Sequence, residues 1–182
     1  MNHISRNVCI ESSIFYLRHF DLNFVGDEYL GWLKDEEVNR YLLKADQDIT
    51  IEEARRYCTE LVESDHDIFL AIILKEDERY IGNVRIGPID FESKVCKFSM
   101  MIGDKDVYGR GLGTKIVEKC IDYCFEQLNM RKFCLDVIEE NKAAVRIYEK
   151  NGLITEGLLK EHVLVNGKTY NLRIMACFRE HN

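Results

Sequence analysis

Hydrophobic and polar residues alternate with two different periods along the chain. A period of about two residues predicts strands, and a period of about 3.6 residues predicts helices. Alternating or continuous short apolar runs predict strands at Ile14 to Phe20, Ile68 to Leu74, Tyr80 to Ile86, Ser93 to Ile102, Lys132 to Ile138, Gly157 to Val165 and Lys168 to Phe178. The charged turn at 75–79 joins two of them into a hairpin, and Asn166-Gly167 joins the last two. Pro88, the only proline, is expected to close the first hairpin.

Helical spacing is clearest from Leu112 to Leu128, where apolar residues recur on one face. Thr50 and Glu53 have the spacing of a capping box and predict a helix over Ile51 to Ser64. Shorter helices are expected at Glu28 to Leu33 and Asp35 to Leu42. The pattern predicts an α+β fold with a mixed, mostly antiparallel sheet of about seven strands, flanked by about four helices.

Composition is typical of one core of ordinary size. The chain has 182 residues, of which 46% are hydrophobic, and we expect a single domain over residues 1–182. No apolar run approaches the ~18 residues of a transmembrane helix. Residues 1–7 also lack the apolar core of a signal peptide. The expectation is therefore a cytoplasmic protein with no membrane partner.

The net charge and the positions of the cysteines limit the binding partners and the metal sites that we expect. The net charge of −7, without a run of lysine or arginine, argues against nucleic acid. It favours a cationic partner such as an amine, although it also fits an ordinary solvated surface. The seven cysteines contain no Cys-x-x-Cys pair and fall mostly at apolar positions, which favours reduced core thiols over disulfides or a zinc site. No metal is expected.

A strand, a short polar loop and three alternating glycines form the first chemical motif. Gly109, Gly111 and Gly113 open the helix that follows the strand ending at Ile102. Glycines let backbone N–H groups approach an anion, and the first turn of a helix offers unpaired N–H donors at the positive end of its dipole. Arg110 adds a positive charge, so the segment predicts a phosphate-binding loop, or a loop that merely needs positive φ angles.

Other phosphate loops fit these residues poorly. A dinucleotide fingerprint that starts at Gly109 needs glycine or alanine at position 114, where Thr114 stands. The Gly-Lys-Thr at 167–169 has His162 where a nucleoside-triphosphate loop needs its first glycine.

A second motif lies beyond the next strand. The two motifs run from Tyr108 to Thr114 and continue with Asn141, Ala144, Tyr148 and Gly152. Together they resemble the GNAT superfamily of acetyl-CoA-dependent N-acetyltransferases, over about residues 13 to 179. The chain looks most like the branch of ribosomal-protein N-terminal acetyltransferases (RimJ/RimL type) and their small-molecule relatives.

The resemblance implies acetyl-CoA as co-substrate and a sheet that is splayed at the cofactor. In this family the strand before the glycine loop parts from its neighbour at a bulge and offers its backbone to the pantetheine arm. The residues implied in cofactor binding are Met101, Ile102, Gly103, Tyr108, Gly109, Arg110, Gly111, Leu112, Gly113, Thr114 and Asn141. A backbone N–H from this strand would also face the thioester oxygen.

The same resemblance assigns catalytic roles to Tyr148 and Asn141. Tyr148 would donate a proton to the departing thiolate, since a phenol with a pKa of about 10 can serve as a general acid. Asn141 would cap the helix and bind the pantetheine arm or orient a water. Both residue types also have ordinary structural uses, because asparagine is a routine N-cap and tyrosine often packs in a core.

The general base stays open. Many relatives carry a glutamate on the strand that enters the loop, whereas Lys97 stands there in this chain and cannot accept a proton when charged. The remaining possibilities are Glu139, Asp90, Glu92, His162, a water chain, or an amine that arrives neutral.

The expected reaction is direct attack of a primary amine on acetyl-CoA. The acceptor is a protein N-terminus, a small polyamine or amino-acid amine, or an amino sugar carried on a nucleotide, and Trp32, Tyr41 and Arg85 are candidates to line its pocket. Alternatives are a non-catalytic CoA-binding module and a nucleotide- or sugar-phosphate-binding protein. The oligomeric state is expected to be a monomer or a homodimer.

Overall fold

A single eight-stranded sheet organises the chain, which the computed structural model describes over residues 8–43 and 48–180. Its strands are β1 (Cys9–Glu11), β2 (Phe15–His19), β3 (Ile68–Leu74), β4 (Tyr80–Asp90), β5 (Val95–Ile102), β6 (Lys132–Ile138), β7 (Ile154–Val165) and β8 (Lys168–Phe178). They lie in the order β1-β2-β3-β4-β5-β6-β8-β7. Neighbouring strands are antiparallel except β5 and β6, which are parallel. The predicted fold class is confirmed, and β1 is the strand that the sequence pattern missed.

The described residues contain five α-helices, which cover the sheet: α1 (Asp27–Lys34), α2 (Glu36–Asn39), α3 (Ile51–Glu63), α4 (Leu112–Glu126) and α5 (Lys142–Lys150). The predicted capping box is present, because the Glu53 N–H donates to Thr50 Oγ1 at 3.2 Å and the Thr50 N–H donates to Glu53 Oε2 at 2.9 Å. The helix expected to reach Leu42 ends at Asn39.

The helices form one layer on each face of the sheet. On one face α4 and α5 bury apolar residues such as Ile116 and Phe133. On the other face α1 and α3 pack over an aromatic cluster that includes Phe20, Tyr29 and Tyr80. Because both faces are covered, β3 is apolar and buried along its whole length.

Strand β4 runs further than its sequence suggested. It continues past Ile86 to Asp90, and the β4–β5 register slips between Ile86 and Ile89. Pro88 therefore lies inside a β-bulge, which accommodates a residue without an N–H, and does not close the hairpin. The final hairpin is confirmed, with Asn166 (φ 49°) and Gly167 (φ 75°) in its turn, although β7 already begins at Ile154.

The cysteines behave as small apolar residues. Six of the seven are buried, Cys9 is exposed, and none forms a disulfide. Burial raises the pKa of the Cys58 thiol to about 11, so this side chain stays neutral at physiological pH. Among the helices in residues 8–43 and 48–180, none has the length and apolar character needed to cross a bilayer.

Gly103, at the end of β5, lies against the indole ring of Trp32. A Cβ atom at position 103 would lie 1.9 Å from Trp32 Cδ2, whereas the Gly103 N–H is held by the Ile81 carbonyl at 2.9 Å. Trp32 is itself fixed by the ring of Tyr80, with centroids 5.0 Å apart. Close packing thus explains the glycine.

We expect Gly103→Ala to lower the free energy of unfolding by about 1–3 kcal/mol, because neither the strand nor the indole has room to move. Chemical denaturation measures this difference. Gly31→Ala is the matched control in α1, since no atom lies within 4 Å of a Cβ there and the position is exposed. It should raise the stability by about 0.5–1 kcal/mol through helix propensity. Equal stabilities of Gly103→Ala and wild type would contradict the Trp32 contact.

Candidate functional site

Strands β5 and β6 separate in the middle of the sheet. They pair only at Val95 with Lys132, Cys96 with Phe133 and Lys97 with Cys134. Beyond these pairs β5 stays hydrogen-bonded to β4 as far as Ile102, and β6 stays bonded to β8 as far as Ile138. We call the opening between β5 after Lys97 and β6 after Cys134 the strand gap.

The ladder pattern shows which peptide groups of β5 face the strand gap. The Gly103 N–H bonds to the Ile81 carbonyl on β4, and the Lys94 carbonyl accepts from Arg131 and Lys132 at the start of β6. Peptide groups of successive residues point alternately to the two neighbouring strands. The even-numbered residues of β5 therefore face β6: the Phe98 N–H completes the last pair with Cys134, and the Phe98 carbonyl with the peptide groups of Met100 and Ile102 points into the gap.

This alternation turns two of the predicted strand residues away from the gap. Met101 and Gly103 direct their peptide groups to β4, and a Cβ at Gly82 would lie 2.1 Å from the Met101 carbonyl oxygen. Of the three residues named from sequence, only Ile102 faces the opening, and its carbonyl accepts a hydrogen bond from the Tyr108 hydroxyl at 2.8 Å. The bulge expected on this strand lies on β4.

The first turn of α4 begins beyond the open end of the gap. Gly109 (φ 75°) and Gly111 (φ 74°) are left-handed, which explains both glycines, and Gly111 is the N-cap. No acceptor in the part of the chain that the structure describes bonds to the N–H groups of Leu112, Gly113 or Thr114. This end of a 15-residue helix can therefore bind an anion.

The side chains around that turn have separate tasks. Leu112 is buried, and a Cβ at Gly113 would lie 2.9 Å from Ile147 Cδ1, so Gly113 allows α4 to approach α5. The Thr114 carbonyl accepts from Asn151 Nδ2 at 3.2 Å, which joins the same two helices. Arg110 is exposed and lies 3.7 Å from Glu76, a weak surface pair that leaves its charge available.

Asn141 caps α5. Its Oδ1 accepts from the Ala144 N–H at 3.2 Å, and its own N–H donates to the Ile138 carbonyl at 2.9 Å. Within residues 8–43 and 48–180 its Nδ2 group has no acceptor, so this amide remains able to donate to a ligand.

Tyr148 lies on α5, on the face of the sheet that α4 and α5 cover. It is 7% exposed and packs edge-on against Phe98 of β5, with ring centroids 6.5 Å apart. Among the residues that the structure describes, its hydroxyl has no hydrogen-bond partner, and its oxygen is not one of the fully buried unpaired side-chain atoms, so it remains accessible to a ligand. Burial raises the pKa of Tyr148 to about 12, so the phenol keeps its proton throughout the physiological range.

The three carboxylates considered as general bases differ in position and in hydrogen bonding. Glu139, at the end of β6, accepts from Asn171 Nδ2 at 3.0 Å and from Arg173 at 2.8 Å. These bonds lower the pKa of Glu139 and make it a poor proton acceptor. Asp90 pairs with Val95 where β5 begins, before the gap opens, and a hydrogen bond from the Ser93 backbone lowers its pKa. Glu92 lies exposed in the adjoining turn.

The candidate base His162 and the three residues expected to line the acceptor pocket lie away from the gap or make contacts elsewhere in the fold. His162 is exposed in an irregular part of the edge strand β7. Tyr41 packs against Tyr170 of β8, with centroids 6.2 Å apart, and Arg85 pairs with Asp67 at 2.7 Å. Trp32 is buried over Gly103, which leaves Arg85 and Tyr41 as the partly exposed ones.

One ion pair at the closed end of the gap was missed from sequence. Lys97 Nζ lies 2.8 Å from Asp136 Oδ2 on β6, and both side chains are partly exposed. A charged residue in the otherwise apolar run Phe133 to Ile138 was the available signal. No set of three His, Cys, Asp or Glu side chains within residues 8–43 and 48–180 is arranged to hold a metal ion.

Comparisons with known proteins identify the family of the chain. The family model for the acetyltransferase (GNAT) domain matches residues 15–154. The probable N-acetyltransferase YjcK of Bacillus subtilis is 28% identical over 138 residues, which cover 74% of this chain and 76% of that protein. The spermidine N(1)-acetyltransferase of Vibrio cholerae is 29% identical over 104 residues, which cover 57% of this chain and 60% of that enzyme.

Solved structures share the fold across almost the whole chain. The Vibrio cholerae spermidine N-acetyltransferase in complex with CoA and spermine has a TM-score of 0.80 at 22% identity, covering 92% of this chain and 96% of that one. RimL, a ribosomal alpha-N-protein acetyltransferase in complex with coenzyme A, has a TM-score of 0.83 at 16% identity, covering 94% and 98%. With its strand gap and its open helix N-terminus, the chain belongs to the GNAT acetyltransferase family and is an N-acetyltransferase.

Proposed function

We propose that this N-acetyltransferase moves the acetyl group of acetyl-CoA to a primary amine of a small polycationic molecule, and that the transfer takes place in the strand gap. The observation that carries the proposal is the gap itself, since its unpaired peptide groups lead from the N-terminus of α4 to the phenol of Tyr148.

The cofactor would bind in two parts. Its pyrophosphate would accept hydrogen bonds from the free N–H groups of Leu112, Gly113 and Thr114, with Arg110 adding charge. Its pantetheine arm would lie along β5 and bond to the peptide groups of Met100 and Ile102, as an added strand does. The Asn141 Nδ2 group would donate to a carbonyl of the arm.

This path determines where the thioester lies. The β5 positions from Ile102 to Phe98 span about 13 Å at 3.3 Å per residue, so an arm that follows them ends beside Phe98 and the closed end of the gap. The Met100 N–H, the first that the β5–β6 ladder leaves unpaired, would face the thioester oxygen and stabilise the negative charge that develops there. Tyr148, which packs against Phe98, would lie at the sulfur.

Chemistry then follows from these positions. The nitrogen of the amine attacks the thioester carbon, an N–C bond forms, and the C–S bond breaks with its electron pair on sulfur. Tyr148 donates a hydrogen bond to that thiolate. Because its pKa of about 12 exceeds the ~8.5 of a cysteine thiol, complete proton transfer is uphill. The thiolate therefore receives its proton as the attacking nitrogen releases one.

Two observations support a small cationic acceptor. The net charge of −7 attracts cations, and spermidine N-acetyltransferases recur among the relatives and the structural neighbours. The second candidate acceptor is a protein N-terminus, because RimL shares the fold over 94% of the chain. In that case the chain would belong to the ribosomal-protein branch.

Turnover with a panel of amines distinguishes these acceptors. Each amine is incubated with acetyl-CoA, and the release of free thiol is measured. We expect turnover with spermidine and spermine, and much slower turnover with an N-terminal ribosomal peptide or an amino-sugar nucleotide. Turnover of the peptide alone would assign the chain to the second candidate. Tight CoA binding without turnover of any amine would identify a non-catalytic module.

Replacing Tyr148 by phenylalanine tests the leaving-group role. We expect kcat with spermidine to fall at least tenfold, because a hydrogen bond to a developing thiolate contributes about 1.5–3 kcal/mol. The affinity for acetyl-CoA should hardly change. An unchanged kcat would remove Tyr148 from the mechanism.

The same variant has a stability signature at high pH. The phenol titrates at about 10 in the unfolded chain and at about 12 in the folded protein, so the stabilisation from its neutral form is complete below pH ~10 and is lost as the pH rises to ~12. Between these limits, wild type should lose up to about 3 kcal/mol more than Tyr148→Phe in urea unfolding. Parallel curves for the two proteins would show that the buried phenol titrates normally.

Gly111→Ala tests the anion site at α4. The substitution places a side chain at φ 74°, and a left-handed residue other than glycine costs about 1–2 kcal/mol. We expect the Kd for acetyl-CoA, measured by calorimetry, to rise at least tenfold. Gly167→Ala is the matched control, with φ 75° in the remote β7–β8 turn and no atom within 4 Å of a Cβ. It should lose similar stability and keep its affinity; equal affinities for the two variants would contradict the site.

A further inference from the structure

We infer that Asp136 receives the cationic nitrogen of the acceptor, and that Lys97 occupies this carboxylate when no acceptor is bound. The inference rests on the proposed function, since it names the group that places the amine in the strand gap.

The location of Asp136 follows from the last β5–β6 pair. Lys97 and Cys134 are paired, so their side chains lie on the same face of the sheet. Side chains alternate along a strand, which makes Asp136 the first residue of β6 on that face after the strands part. The 2.8 Å contact between Lys97 Nζ and Asp136 Oδ2 therefore spans the closed end of the gap.

The two faces of the gap differ in character. Phe98, Phe133 and Tyr148 fill the face towards α4 and α5, where the ring of Phe98 packs against the other two. Lys97 and Ser99 are exposed on the opposite face, although β5 is a central strand. A thioester in the gap would thus have Tyr148 on its closed side, and an amine could approach only from the side of Asp136.

The ion pair is suited to exchange. The Lys97 side chain is 47% exposed and that of Asp136 is 26% exposed, so solvent reaches both groups and the pair contributes little net stability. In the described residues Asp136 has no second ionic partner, and the residue opposite it on β8 is Ile174. A substrate ammonium can therefore replace the lysine ammonium at small cost.

The chemistry of the two cations is the same. Lysine ends in a primary alkylammonium, as does a polyamine, so the carboxylate that holds one can hold the other. A carboxylate holds an alkylammonium through charge-assisted hydrogen bonds. Asp136 thus binds and orients the nitrogen, while the proton that nitrogen loses before attack passes to water.

Two variants with opposite expected effects test the inference, with spermidine as the acceptor. Asp136→Asn keeps the shape of the side chain and removes its charge, so the KM for spermidine should rise at least tenfold at an unchanged KM for acetyl-CoA. Lys97→Met removes the competing ammonium and should lower the KM for spermidine two- to fivefold. If the ion pair were merely structural, the two variants would shift KM in the same direction.

Glu156→Gln is the matched control. It removes the ion pair between Lys132 Nζ and Glu156 Oε2, 2.6 Å long, at the start of β6 and outside the gap. Its KM for spermidine should equal that of wild type, and thermal unfolding of every variant reports folding. If wild type acetylates no amine, the proposed function fails. If wild type is active and Asp136→Asn behaves like Glu156→Gln, only the role of Asp136 is overturned.

Discussion

The early separation of β5 from β6 is the constraint on which the site depends. Central strands normally complete their ladder, because unpaired peptide groups are costly away from water. Here only three residue pairs form, and the chain must hold the two strands apart while each keeps its other partner. The rings of Phe98, Phe133 and Tyr148 fill the covered face at that point. The unpaired peptide groups in the strand gap are therefore as rigid as the sheet to which their strands belong.

Contacts between distant segments connect the loop before α4, which we propose as the cofactor loop, to the helices of the opposite face. Lys105, just after β5, lies 2.6 Å from Asp35 at the N-cap of α2, and Arg79 in the β3–β4 turn binds Asp104 of the same loop. Trp32 of α1 covers Gly103 between them. The loop that precedes α4 therefore takes its position from contacts with α1 and with the N-cap of α2.

Much of the architecture could be predicted from local signals, but the chemistry of the gap could not. Thr50 with Glu53 and Asn166 with Gly167 fix a helix start and a turn through contacts within a few residues. Whether Met100 or Met101 presents its peptide group to the gap depends on pairing with β4, which no local pattern encodes. The contact of Gly103 with Trp32 and the partnership of Lys97 with Asp136 likewise join residues far apart in sequence.

Residue-resolved amide hydrogen exchange, with and without saturating CoA, tests most directly whether the gap holds the cofactor arm. The account predicts that CoA slows exchange at Met100 and Ile102, which face the gap, and at Leu112 to Thr114 in the first turn of α4. The amide of Met101, already bonded to β4, should change little. Protection that spares Met100 and Ile102 while CoA is bound would contradict the account.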